Sequence, residues 1–258
     1  MYPATSRPQI ELAVFFILKQ CHHTAMIWIL FIAALAAPSF AQYIGITFQN
    51  YGIGLIARIL VHIMLPILVV MFFEKKKILA AFLHPFSAST QQSRKWAVTV
   101  GIIFGILGVI FIWGTYLILR SILDMPEILD SLLRDSKIRR EVFPWVALAV
   151  VAINPFLEEY FWRGFVYGFF SEKVSALWAK RVIFYFSGIF FAVHHVLIVR
   201  DWFNWWQMLL SVSFLIAAGL IFNWMYDKSR SMLASWITHT IADAALVTIG
   251  LYIFGFLG

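Results

Sequence analysis

Charge is scarce in this chain and cysteine almost absent. Only 13% of its 258 residues are Asp, Glu, Lys or Arg, and 62% are hydrophobic, where soluble domains carry about a quarter charged and about half apolar. The single cysteine, Cys21, excludes an intrachain disulfide and a cysteine-rich metal site. There is no His-Glu-x-x-His segment, which excludes an ordinary zincin helix, and no Gly-x-Ser-x-Gly to signal a serine hydrolase. No linker, internal repeat or low-complexity tract interrupts the chain, so residues 1–258 read as a single membrane domain. The net charge of +7 is spread over short loops. It suits anionic lipid headgroups and excludes a nucleic-acid partner.

What is abundant is apolar length. A spanning helix needs ~20 mostly apolar residues, and the runs here are far too long for barrel strands. The expected fold class is all-α, a polytopic transmembrane helical bundle of seven spans. They run from about Ala25 to Ile46, Ile53 to Phe73, Trp96 to Leu119, Val142 to Phe170, Val182 to Val199, Trp205 to Tyr226 and Met232 to Phe256. The run from Ile10 to Leu18 is too short to span. It places residues 1–24 as an N-terminal interfacial segment, or forms an eighth span with a re-entrant stretch. The Ala-Pro-Ser-Phe-Ala stretch at Ala37–Ala41 resembles a cleavage site, but retention as the first membrane helix is the better reading. The Ile-Leu-Asp-Ser-Leu-Leu spacing between Arg120 and Glu141 predicts an amphipathic surface helix.

Lys75, Lys76, Lys77, Arg94 and Lys95 follow the second span, Lys173, Lys180 and Arg181 the fourth, and Lys228 and Arg230 the sixth. These are alternate loops, so they share one side. The positive-inside rule then predicts a cytoplasmic N-terminus, an external C-terminus and residence in a plasma (inner) membrane.

Ionisable groups within spans are costly and usually functional. Glu158, Glu159 and Arg163 lie in the fourth span, His194 and His195 in the fifth, His239 and Asp243 in the seventh. Three helices thus bring costly groups toward one polar pocket. Glu159 and Arg163 are four apart and share a helix face; Glu158 points ~100° away. One carboxylate is anchored while the other faces the pocket. Arg58 and His62, in the second span, have no motif around them and read as structural or snorkelling groups.

Such a set suits hydrolysis. A Glu and a His can hold and deprotonate a water, and a second His backed by an Asp can donate to an oxyanion. The same residue types also suit Zn2+, with Glu158, His195, His239 and Asp243 as candidate ligands. Sequence leaves both versions open: no cofactor, or a divalent metal.

Glu158-Glu159-Tyr160-Phe161-Trp162-Arg163-Gly164 resembles the Glu-Glu-x-x-x-Arg motif of the CPBP family, the CAAX proteases and bacteriocin-processing enzymes also called Abi. Phe191-Ala192-Val193-His194-His195 resembles its Phe-x-x-x-His motif, and His239-Thr240-Ile241-Ala242-Asp243 its His-x-x-x-Asn/Asp motif. The resemblance covers roughly Pro144 to Leu251 and marks 142–251 as a CPBP-type catalytic core. It implies an intramembrane endopeptidase. Glu158 would be its base, paired with Glu159; Arg163 would hold the carboxylates, His195 help activate the water, and His239 with Asp243 support the oxyanion or a metal. Phe190 also lies four before His194; His195 is chosen because Phe-Ala-x-x-His reads closer to the family pattern. Asp243 departs from the Asn usual in eukaryotic prenyl-protein endopeptidases. The expected partners are the bilayer and a peptide or protein with a membrane-proximal cleavage site. Two other readings stand beside this one: a non-enzymatic immunity or scaffold protein of the same fold, and a proton-coupled transporter.

Overall fold

Helix formation accounts for nearly all of the computed structural model, which describes residues 7–48, 51–86, 90–120, 141, 143–200 and 203–253; among these no strand occurs. The helices are α1 (Arg7–Phe48), α2 (Tyr51–Ile59), α3 (Leu65–Glu74), α4 (Ile78–Leu83), α5 (Gln91–Leu119), α6 (Phe143–Ala152), α7 (Asn154–Glu159), α8 (Leu177–Val199), α9 (Trp205–Ser229) and α10 (Leu233–Ile253). Two π-helical segments, Leu60–Met64 and Tyr160–Phe169, join α2 to α3 and extend α7; a turn at Phe170–Glu172 follows the second. The amphipathic surface helix expected between Arg120 and Glu141 lies outside the described residues.

Five helical stretches are long and apolar enough to cross a membrane: Thr24–Gly45, Gly52–Glu74, Gln91–Leu119, Trp205–Ser229 and Leu233–Tyr252. The fourth of the seven expected spans falls short of that composition for a physical reason. Pro155 has no N–H to donate and disfavours helical backbone in the residue before it. The fourth stretch accordingly breaks at Ile153 into α6 and α7, and it carries Glu158, Glu159 and Arg163. The fifth expected span lies on α8, which runs 23 residues from Leu177 to Val199, with Lys180 and Arg181 in its first turns and His194 and His195 in its last. The Ile10–Leu18 run is continuous with the first span. α1 has 42 residues without interruption, about 63 Å at 1.5 Å per residue, or twice a bilayer's hydrocarbon core.

Lipid-type surface covers the outside. Phe72, Ile110 and Ile118 are exposed by 64% or more, as expected of chain whose solvent is hydrocarbon. The core lies around the second π segment, where Phe161, Trp162, Val166 and Phe169 are fully buried. The two π segments meet there, with the His62 and Phe161 rings 5.1 Å apart.

The three basic loops gather at one end of the bundle. Lys173 Nζ lies 2.7 Å from Glu74 and Arg230 Nη2 2.9 Å from Glu172. His84 sits between the two carboxylates at 3.7 and 3.6 Å. Burial draws the His84 imidazole below its ordinary range, while Glu74 and Glu172 pull it upward. At the same end, Lys75 and Arg230 close α3 and α9 in the left-handed conformation, with φ of 51° and 54°.

Gly164 lets the second π segment approach Pro85: a Cβ there would lie 2.5 Å from the proline ring. Gly164→Val should therefore destabilise the protein by about 1–3 kcal/mol through overpacking, read as a lower melting temperature in detergent. Gly114→Ala, where a Cβ meets nothing within 4 Å, should not lower it.

Candidate active site

Six residues singled out from sequence stand on four elements that pack together. Glu158 and Glu159 end α7 and Arg163 lies one turn into the π segment; His195 closes α8; His239 and Asp243 lie on α10. Glu158, Glu159, Arg163 and His239 are buried, and His195 is partly open. π-helical turns concentrate at functional sites. Here one starts directly after the paired carboxylates.

Arg163 is the centre of the arrangement and has no exposed surface. Its Nη1 donates to Glu159 Oε1 at 2.9 Å and its Nη2 to the Gly219 carbonyl at 3.2 Å. The guanidinium lies over the rings of Phe191, 4.2 Å away, and Phe222, 4.8 Å away, two cation–π contacts from adjoining sides. Gly219 can serve as acceptor because α8 and α9 cross there: a Cβ at Gly219 would run into the Gly188 backbone. Glu159 Oε1 also accepts from His239 Nδ1 at 2.9 Å. His239 Nε2 lies 3.6 Å from Asp243 Oδ1. One chain of contacts thus runs Arg163, Glu159, His239, Asp243.

Glu158 points elsewhere, as the 100° step per residue requires. Its Oε1 lies 3.6 Å from His194 Nε2 and its Oε2 3.8 Å from His195 Nε2. Phe191 O lies 2.8 Å from His195 Nδ1. A carbonyl only accepts, so Nδ1 carries the proton, and in the neutral ring Nε2 keeps its lone pair. His194 stacks on Trp162, ring centres 5.5 Å apart. Several buried polar atoms here have no hydrogen-bond partner: Glu158 Oε2, Glu159 Oε2, His194 Nδ1 and Asp243 Oδ2. Buried polar groups are normally satisfied, so this cluster is chemically primed for a water, an ion or a substrate group.

A cavity of about 10 Å³ opens beside it, lined among others by Arg58, His62, Asn154, Glu158 and His194. That is close to the space one water needs. Sequence reasoning preferred His195 to His194, yet both imidazoles face Glu158. Atoms of Glu158, His194 and His195 that can bind a metal lie within 4.8 Å of one another. Of the four metal-ligand candidates, His239 instead turns Nδ1 to Glu159.

Arg58 is half-buried and takes the structural part of its expected reading. It donates to Asn154 at 3.1 Å and to Gln42, and Asn154 in turn lies against Asp243. His62 is buried, with Nδ1 3.0 Å from the Arg58 carbonyl. Their signal in the sequence was the same as that of the six candidate residues, an ionisable group within an apolar span, but without a motif to give it a direction.

Arg163→Leu should cost about 3–5 kcal/mol, because it leaves the Glu159 charge buried without its guanidinium partner. The double variant with Glu159→Gln should recover part of that loss in a mutant cycle read by thermal unfolding in detergent.

Residues 140–245 match the family described as type II CAAX prenyl endopeptidase Rce1-like, a stretch of less than half the chain that holds all three motifs. Neither a curated protein nor a solved structure matches.

Proposed function

From a motif-bearing stretch that matches the CAAX protease type, we propose that this chain is an intramembrane endopeptidase in which Glu158 activates a water to attack a peptide carbonyl. The observation that carries the reading is the division of labour between adjacent carboxylates. Glu159 is committed to Arg163 and His239, while Glu158 meets two imidazoles beside a water-sized cavity.

The water lies between Glu158 and His195. Glu158 takes its proton as oxygen bonds to the carbonyl carbon, then passes that proton to the leaving amine. His195 helps hold the water through Nε2. His239, held through Nδ1 by Glu159 and carrying a second proton on Nε2 beside Asp243, donates from Nε2 to the oxyanion as a preorganised partner in a dry site. Arg163 touches no reacting atom; it holds Glu159 and, through it, His239. If the bound form carries a divalent metal, Glu158, His194 and His195 are the residues that hold it. They fit a catalytic zinc site of three protein ligands, and the metal would lower the pKa of bound water. With α6 through Glu172 and α8 counted as crossings, the bundle has seven. The shared basic end then faces the cytoplasm and the C-terminus the outside. The substrate is a peptide or protein cut near the membrane surface.

Glu158→Gln should abolish cleavage of a membrane-anchored substrate while the protein stays folded. His195→Ala should lower kcat by about 10²–10⁴. Retained activity in Glu158→Gln, measured on purified protein, would sink the proposal. A chelator separates the two versions of the chemistry: activity that persists in its presence assigns the proton transfer to Glu158 without a metal. Flux of protons into proteoliposomes that depends on Glu158 and Glu159, with no cleavage, would favour a transporter instead.

A further inference from the structure

Three metal-ligating side chains meet at the basic end of the bundle, and the proposed hydrolysis uses none of them. Glu74 ends the apolar stretch Gly52–Glu74, His84 opens the turn His84–Phe86, and Glu172 closes the turn at Phe170–Glu172. His84 Nε2 lies 3.7 Å from Glu74 Oε2 and 3.6 Å from Glu172 Oε2. One ligand atom from each of the three residues lies within 4.8 Å of the other two. The His84 side chain is only 9% exposed, and its ring stands edge-on to Phe169, 6.5 Å between centres. Separations of this size are long for N–H···O hydrogen bonds, which run about 2.7–3.2 Å. They are close to the edge of a tetrahedron of ligands around zinc, about 3.4 Å when each ligand stands about 2.1 Å from the ion.

The outer oxygens of both carboxylates are already held. Lys173 Nζ donates to Glu74 Oε1 at 2.7 Å and Arg230 Nη2 to Glu172 Oε1 at 2.9 Å. Each carboxylate thereby turns Oε2 toward His84, as outer partners orient the ligands of a metal. Lys76 also pairs with Glu74 Oε2, and it is the group that an ion must displace. Its side chain is 38% exposed, so the ammonium can move into water on its flexible stem. Charge favours the exchange. Asp227 lies 3.7 Å from Arg230 Nη1, so Glu74, Glu172 and Asp227 balance Lys76, Lys173 and Arg230. When Lys76 leaves, a net negative charge faces the incoming cation.

We propose that Glu74, His84 and Glu172 form a binding site for a zinc-class divalent ion, with water in the fourth position, that fastens three segments to one another at the basic end. An imidazole beside two carboxylates suits zinc and disfavours magnesium and calcium, which take oxygen ligands. Glu172 is exposed, which gives the ion a path from water. The cation also removes the repulsion between the two Oε2 atoms, so that they close around it. Pro85, directly after His84, packs on Gly164, and its carbonyl accepts from Met232 N at 3.4 Å. The ion therefore fixes a turn that leans on both the second π segment and the residue before α10. The site shares no residue with Glu158, His194 and His195, and it stands whether or not this chain cuts peptides.

The test uses the full chain in maltoside micelles, stripped with a chelator and carrying His194→Ala and His195→Ala, so that the candidate active site cannot take the ion. Glu158→Gln serves in their place if that background does not fold. Zn2+ is titrated by calorimetry and its effect on thermal unfolding is followed. One Zn2+ per chain should bind and raise the melting temperature, and Mg2+ should not compete. His84→Ala should weaken Zn2+ binding about a hundredfold or more, because loss of an outer partner alone costs about 10–100-fold. Glu172→Gln should weaken it too, and serves if His84→Ala does not fold. Lys76→Met should tighten it about two- to fivefold, the worth of an exposed ion pair. A cluster that is only a set of ion pairs would bind no Zn2+ in this background, and that result overturns the site. So does binding that neither His84→Ala nor Glu172→Gln weakens, binding that Mg2+ displaces, or binding that Lys76→Met weakens.

Discussion

A fully buried guanidinium needs a fixed acidic partner, and the geometry of this site follows from that need. Arg163 and Glu159 have no exposed surface and meet at 2.9 Å. Removing either would strand a charge in a medium that solvates it poorly. The surroundings complete the pairing: two aromatic faces, the Gly219 carbonyl and the His239 imidazole. Those partners come from α8, α9 and α10, so one ion pair ties the helices of all three motifs into a single constellation. Glu159 is occupied in this way, while its neighbour Glu158 stays outside the ion pair and faces His194 and His195.

The N-terminal helices complete the pocket that the matched region begins. His62 and Arg58 reach it from either side of the junction between α2 and the first π segment. The second π segment carries Phe161 against His62 and Arg163 against Glu159. A π turn offsets the helix face relative to a regular α-helix, and both segments occur where a polar side chain must be turned inward among apolar neighbours. At the basic end, the Glu74–Lys173 and Glu172–Arg230 pairs fasten successive loops to each other. That end is the one the lysine and arginine distribution assigns to a single side of the membrane.

Several features were legible in the sequence because they are local. The i, i+4 spacing of Glu159 and Arg163 yields the observed pair, and that of His239 and Asp243 brings their side chains to 3.6 Å. Pro155 was equally visible, but a run of apolar residues hid its consequence, the break at Ile153 that sets α7 apart from α6. The choice between His194 and His195 could not be made by spacing, since both stand four residues after a phenylalanine. In the fold the two rings, 3.9 Å apart, meet one carboxylate from two directions.

Hydropathy and spacing alone determined that this chain is a helical membrane protein and that acids, bases and imidazoles on three of its helices are too costly in lipid to be idle. They also determined the direction in which each such residue leaves its own helix, because 3.6 residues per turn is a property of the backbone. The tertiary structure decided what those directions meet. It gave His239 to Glu159, both His194 and His195 to Glu158, and Arg58 to Asn154. The rotation of one helix against another depends on side chains packing across the whole bundle, down to the space left by Gly164 and Gly219, and no single helix contains that information.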